Sequence, residues 1–178
     1  MDAGDGPLEI EIVRSSGRVK TASARWAVPG QKVIVRLPSG LDPHEEQDLV
    51  TKLVGKVRAG ARRRDLNHAG KLPARAEELN RLYFGGKLRV ASIEWVTNQQ
   101  GRYGSCTPDL RTIRISDRVA ALPGWVQDYV LVHELAHLLE GNHSPAFWRL
   151  VNRYPLAERA RGYLIALGLE GMDGPTGE

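Results

Sequence analysis

The chain has 178 residues and a formal net charge of +4. That is enough length for one domain with a real core and a small appended piece, and a mildly basic balance that permits an anionic partner without demanding one. A single cysteine excludes an intrachain disulfide and a cysteine-based zinc finger. The acidic, glycine-rich start lacks a secretory pattern and no apolar run nears the roughly 20 residues of a membrane span, so a soluble cytoplasmic protein is the expectation.

Residues 1–7 read as a disordered tail. Leu8–Val13 alternates apolar and charged residues, a strand with one face on a core. Ser15-Ser16-Gly17 turns it. Val19–Trp26 and Lys32–Leu37 give two more strands about a Val28-Pro29-Gly30 turn, together a small antiparallel sheet. Asp42-Pro43 opens a helix with a capping aspartate and proline in the first turn. Leu49, Val50, Leu53, Val54 and Val57 then fall on one face. Arg62, Arg63 and Arg64 form a basic knot after it, and a second helix runs from Leu72-Pro73 to Phe84, stopped by Gly85-Gly86. The basic stretch 56–89 reads first as a solvated face with a linker, and second as a contact surface for nucleic acid or phosphate.

Three strands follow, at Leu88–Thr97, Arg102–Cys106 and Leu110–Ser116, with a turn at Asn98–Gly101 between the first two. The last alternates well and is expected at a sheet edge, where an extended peptide can pair with its backbone. Pro123-Gly124-Trp125 leads into a further helix, Ser144-Pro145 caps another, and a last helix spans Pro155–Leu167 before Gly168 and Gly171. Residues 171–178 read as a frayed tail. The whole is an α+β chain, with 8–170 taken as one domain: N-terminal strands at 8–40, helices at 42–84 and a catalytic core at 85–170.

The chemistry concentrates at Val130–His143, which holds three of the five histidines. His133-Glu134-Leu135-Ala136-His137 is an H-E-x-x-H pattern. Each helical residue turns about 100°, so His133 and His137 share a face and can bind one metal ion. Glu134 lies a further step round, able to reach a water at that metal without being a ligand. Gly141 is expected to end the helix in a left-handed conformation, letting the chain double back and bring His143 in as a third ligand. Three protein ligands and an open fourth position describe catalytic zinc. The flanking Tyr129, Val130, Val132, Leu135, Ala136 and Leu139 predict a buried helix, where two histidines and two glutamates are costly without a compensating cation.

Tyr103-Gly104-Ser105-Cys106, Asp128 through His137, and Asn142-His143-Ser144-Pro145-Ala146-Phe147-Trp148 resemble the YgjP-like metallopeptidase domain, a zincin group related to the WLM and SprT-like families. Tyr103 stands where that pattern usually has tryptophan. The resemblance covers roughly 85–168. It implies a zincin-like fold with a small antiparallel sheet beside the H-E-x-x-H helix, one zinc ion held by His133, His137 and His143, and Glu134 as catalytic base. With Cys106 alone the chain cannot build the zinc ribbon of many SprT-like proteins. Glu140 stands where the metzincin pattern requires glycine, which ranks that reading lower.

Peptide hydrolysis is therefore the first functional expectation, with a protein or peptide substrate. A phosphohydrolase acting on nucleotides is the second, with Arg62, Arg63, Arg64, Arg111 and Arg114 available to phosphate. A non-catalytic nucleic-acid-binding module is the third, and the intact Glu134 argues against it. Arg102, Tyr103 and Tyr154 are the candidates for stabilising an oxyanion or touching substrate. Cys106 reads as a structural residue. Asp128, near the start of the metal helix, reads as suited to that helix end.

Overall fold

The computed structural model describes residues 7–16, 21–97 and 101–167. The expected tails before Pro7 and after residue 170, the turn glycine Gly17, the start of the strand expected at Val19, the turn residues 98–100 and the glycines expected to follow the last helix lie outside those residues. The chain divides into two compact units, Met1–Arg62 and Arg63–Glu178, with the division inside a helix, α1 (Pro43–His68). No described helix is long and apolar enough to cross a membrane.

The first unit holds β1 (Glu9–Ser15), β2 (Ser23–Val28) and β3 (Lys32–Pro38) in the order β1-β3-β2. β2 and β3 form a hairpin turned by Pro29-Gly30. The Gln31 amide donates to the Val28 carbonyl at 3.0 Å, and Gly30 takes the positive φ of 75° that its place in the turn requires. β1 pairs with β3 in parallel, so the sheet is mixed and not antiparallel as expected. The reason lies in β3. Val33, Val35 and Leu37 are all fully buried, and the strand with the most apolar inward face takes the centre, flanked on both sides. Leu49, Val50, Leu53, Val54 and Val57 of α1 pack on this core. Asp42 caps the helix, its carboxylate accepting from the His44 amide at 2.9 Å. Arg62, Arg63 and Arg64 do not follow α1 but belong to it, since arginine and alanine are good helix formers and nothing there breaks the run.

The second unit opens on α2 (Lys71–Phe84), ended by Gly85 and Gly86 with φ of 65° and 70°. Its sheet is β4 (Ser92–Val96), β5 (Gly104–Thr107) and β6 (Thr112–Ser116), in the order β4-β6-β5. β4 runs parallel to β6 and β5 antiparallel to it. Here too the expected antiparallel sheet is mixed, and the expected edge strand β6 is central. Its Ile113 and Ile115 are fully buried, whereas the small residues of β5 suit an edge. Two strands are shorter than expected for local reasons. The buried Asn80 side chain bonds both the amide and the carbonyl of Leu88, which takes Leu88 out of the ladder. Arg111 has a φ of 53° and closes a turn onto Pro108, so β6 starts after it.

The unit is built around α3 (Gly124–Ala136), whose Val126 and Tyr129 through Ala136 are all buried. α2, α4 (Pro145–Val151), α5 (Ala157–Ala166), β5 and β6 all pack against it. α3 stops sooner than its sequence predicts, and Leu139 is 55% exposed. After His137 the amides of Leu138 and Leu139 bond three residues back, to Leu135 and Ala136, a tightening that ends the helix before Gly141. Gly141 does not take the left-handed conformation expected of it.

Candidate active site

The packing of α3 leaves His133 2% and Glu134 3% exposed. His137 is the helix's C-terminal cap, and the short turn after it returns the chain to His143. The Nε2 atoms of the three histidines converge: His133 to His137 is 3.2 Å and His133 to His143 is 3.1 Å. Two nitrogens at zinc–nitrogen bonding distance on a tetrahedral centre lie about 3.3 Å apart, so this spacing fits one ion held by three imidazoles. The ligand atoms of all three lie within 4.8 Å of one another.

The rings are held from behind. His137 Nδ1 lies 3.1 Å from the Glu140 carbonyl, an acceptor that places the proton on Nδ1 and leaves the Nε2 lone pair facing the centre. Ser144 caps α4, its hydroxyl accepting from the Phe147 amide at 3.2 Å, with Pro145 in the first turn. That cap fixes Phe147 and Trp148. Phe147 is fully buried and stacks on His137 at 4.4 Å between centroids. Trp148 stacks on His143 at 5.7 Å, with the Arg161 guanidinium 4.9 Å from the Trp148 ring. Burial, then the neighbouring His137 and His143, then Arg161, hold the His133 imidazole well below its ordinary pKa. Burial also lowers His137, against the pull of the Glu140 carbonyl. Lowered pKa values keep these two rings neutral near pH 7, the form that binds a metal.

Glu134 points from α3 toward β5. Burial pushes its carboxyl up to about 8, and the Arg102 charge works against that rise. Its Oε2 is buried without a hydrogen-bond partner among the described residues. On β5, burial and then the Glu134 charge push the Cys106 thiol up to about 12, so Cys106 is not a thiolate near neutrality.

Residues 77–164 match the YgjP-like family, a metallopeptidase domain. The crystal structure of the metallopeptidase zymogen of Pyrococcus abyssi abylysin is 25% identical, with a TM-score of 0.47, covering 53% of this chain and 90% of its own. No curated protein matches the chain.

The structure gathers only part of the residues the sequence proposes. His133, His137 and His143 meet, with Glu134 buried next to the first of them. Arg102 is exposed and acts on Glu134 through its charge; its carbonyl accepts from Arg118 at 3.0 Å. Tyr103 is buried, with Arg118 5.8 Å over its ring and its hydroxyl unpartnered among the described residues. Tyr154 is placed elsewhere. Its hydroxyl donates to the Trp125 carbonyl at 2.9 Å, two turns of α3 before His133, and its ring packs edge-on against Tyr83. Arg62, Arg63 and Arg64 are exposed on α1 and make no ion pair among the described residues.

Two features of the second unit escape a sequence reading. Arg75 of α2 forks onto Asp128 of α3 at 2.7 and 2.5 Å while also bonding Glu78 at 2.6 Å. Asp128 therefore serves as a bridge between helices in addition to suiting the start of its own. Gly104 of β5 lies directly against Glu134. An arginine 53 residues before its partner and a glycine within a strand carry no local signal.

Proposed function

We propose that the protein is a zinc-dependent metallopeptidase in which His133, His137 and His143 hold one zinc ion and Glu134 is the general base. The observation that carries this reading is the convergence of three imidazole Nε2 atoms next to a buried carboxyl group whose Oε2 has no hydrogen-bond partner among the described residues. Zinc, when bound, supplies Lewis acidity that acidifies water and polarises a peptide carbonyl.

The rest of the chemistry belongs to the chain. Glu134 takes a proton from the attacking water and delivers it to the leaving amine. A carboxyl pushed up to about 8 by burial is basic enough for that first transfer, and the added positive charge of a bound ion favours its ionised form. Phe147 and Trp148 exclude water from the back of the imidazoles and hold their orientation. Arg102 supplies a positive charge that acts on Glu134, and is the candidate to meet the developing oxyanion. Peptide and protein are the substrate class, by the family's description as a metallopeptidase domain.

The test is a parallel assay of zinc-loaded protein on casein and on nucleoside triphosphates. Casein should be cleaved, and Glu134→Gln should lower turnover by at least about 10²-fold while keeping zinc. Full turnover by Glu134→Gln would remove the general-base role. Hydrolysis of the triphosphates alone would replace the peptidase with a phosphohydrolase.

A further inference from the structure

We propose that Gly104 is a positioning residue: its missing side chain makes the space in which the Glu134 carboxylate lies, and β5 forms the wall that fixes that carboxylate's direction. The inference rests on the general-base reading for its catalytic consequence, but the contact itself stands independently of it.

A Cβ placed at Gly104 would lie 2.5 Å from Glu134 Oε1 and 2.8 Å from both its Cδ and Cγ. Those distances are far inside van der Waals contact, and they involve the length of the side chain, not one flexible tip. Gly104 is not needed here for backbone freedom, since its φ lies outside the left-handed region that glycine favours. Gly30, Gly85 and Gly86 do have such values, with open space or only loose contacts around them. Gly104 is a glycine of the other kind, kept small for its neighbour.

Neither side has room to retreat. Gly104 pairs with Ile115 in the antiparallel ladder, and Ile115 is fully buried. One residue earlier, the Tyr103 carbonyl accepts from the Ser116 amide at 2.7 Å. β5 is thus pinned to β6 on both sides of the contact. Glu134 in turn sits on a helix whose neighbouring His133 and Leu135 are buried as well. A methyl group at position 104 must therefore turn the Glu134 side chain into another rotamer. Displacement by about an ångström at a reacting group costs on the order of 10²-fold in rate.

The first arm of the test needs no substrate. Thermal midpoints are measured on metal-free protein for Gly104→Ala, with Glu134 present and with Glu134→Ala. The expected result is a fall of several degrees in the presence of Glu134 and a clearly smaller one without it, the signature of coupled neighbours. Equal falls in both backgrounds would overturn the proposal. If Gly104→Ala does not fold at all, recovery of folding in the Glu134→Ala background supports the contact, and failure in both overturns it. Gly162→Ala, in open space on α5, is the control.

The second arm is kinetic. Gly104→Ala should keep its zinc and its KM while kcat falls about 10²-fold. In a Glu134→Asp background, where the carboxylate is one methylene shorter, the same substitution should cost much less. Unchanged kcat in Gly104→Ala would overturn the positioning role. If wild-type protein cleaves no peptide, the peptidase reading fails, while the thermal arm still decides the contact.

Discussion

α1 and α3 are both helices, and they use their polar residues in opposite ways. α1 has 26 residues, of which only Val54 is buried, and its arginines face solvent. α3 has 13 residues and buries His133 and Glu134 between the buried Val132 and Leu135. A charge on α1 stays hydrated and asks for no explanation. A histidine or glutamate inside α3 has left water and needs a compensating partner. The basic run draws the eye in the sequence, yet the polar groups proposed to carry chemistry are the ones placed where they are expensive.

The sharpest way to break the contrast is to remove a ligand. His137→Ala should abolish stoichiometric zinc by elemental analysis. Wild-type protein with zinc at 1,000 times its Kd should gain about 4 kcal/mol over chelated protein, and the variant should gain almost nothing. An unchanged response to chelator would take His137 out of the ligand set.

The next effect is on pH dependence, in metal-free protein. The Glu134 carboxyl is ordinary in the unfolded chain, at about 4.3, and is pushed up to about 8 in the fold. Between those values the folded state keeps a proton that the unfolded state has lost, so stability falls as pH rises across the window. Glu134→Gln has no such proton to lose. Its advantage over wild type should grow from about pH 4.3 to pH 8, reach roughly 5 kcal/mol, and then level off. His133 and His137, with lowered pKa values, act in the opposite sense, but they are common to both proteins and cancel in the difference. Denaturant melts at several pH values would show this, and a flat difference would place Glu134 outside the buried environment.

A smaller effect is expected at the helix bridge. Asp128→Asn leaves the Arg75 fork without its charged acceptor and should cost about 1–2 kcal/mol in chemical denaturation, with zinc content unchanged. The smallest belongs to α1. Replacing Arg62, Arg63 and Arg64 together by alanine should shift stability by no more than about 0.5 kcal/mol per site. If the triple variant also flattened a salt-dependent affinity for DNA or RNA, α1 would acquire a function that its exposure alone does not give it.

Much of the candidate site was legible because its spacing is local. A four-residue step on a helix brings His133 and His137 together whatever surrounds them, and Asn142-His143-Ser144-Pro145 carries its own turn and cap. The strand order was not legible. β3 and β6 are central because their inward faces are the most buried, a competition between strands that no single stretch of sequence displays. The end of α3 was misplaced for a related reason. Gly141 is a plausible stop, but the His137 imidazole and the Glu140 carbonyl meet first. Gly104 shows the same limit from the other side: inside a strand it reads as a weak residue, and only the fold shows Glu134 against it.

The compactness of the ligand set has one more consequence. His133, His137 and His143 lie within eleven consecutive residues, so closing a metal-bound loop between them costs little chain entropy even when the protein is denatured. If these histidines hold zinc as proposed, the unfolded chain should keep some affinity for it. Whatever it binds must be subtracted from the protection that zinc gives the native state, so the rise in melting temperature should stop growing at high metal concentration, once the denatured ensemble begins to fill as well.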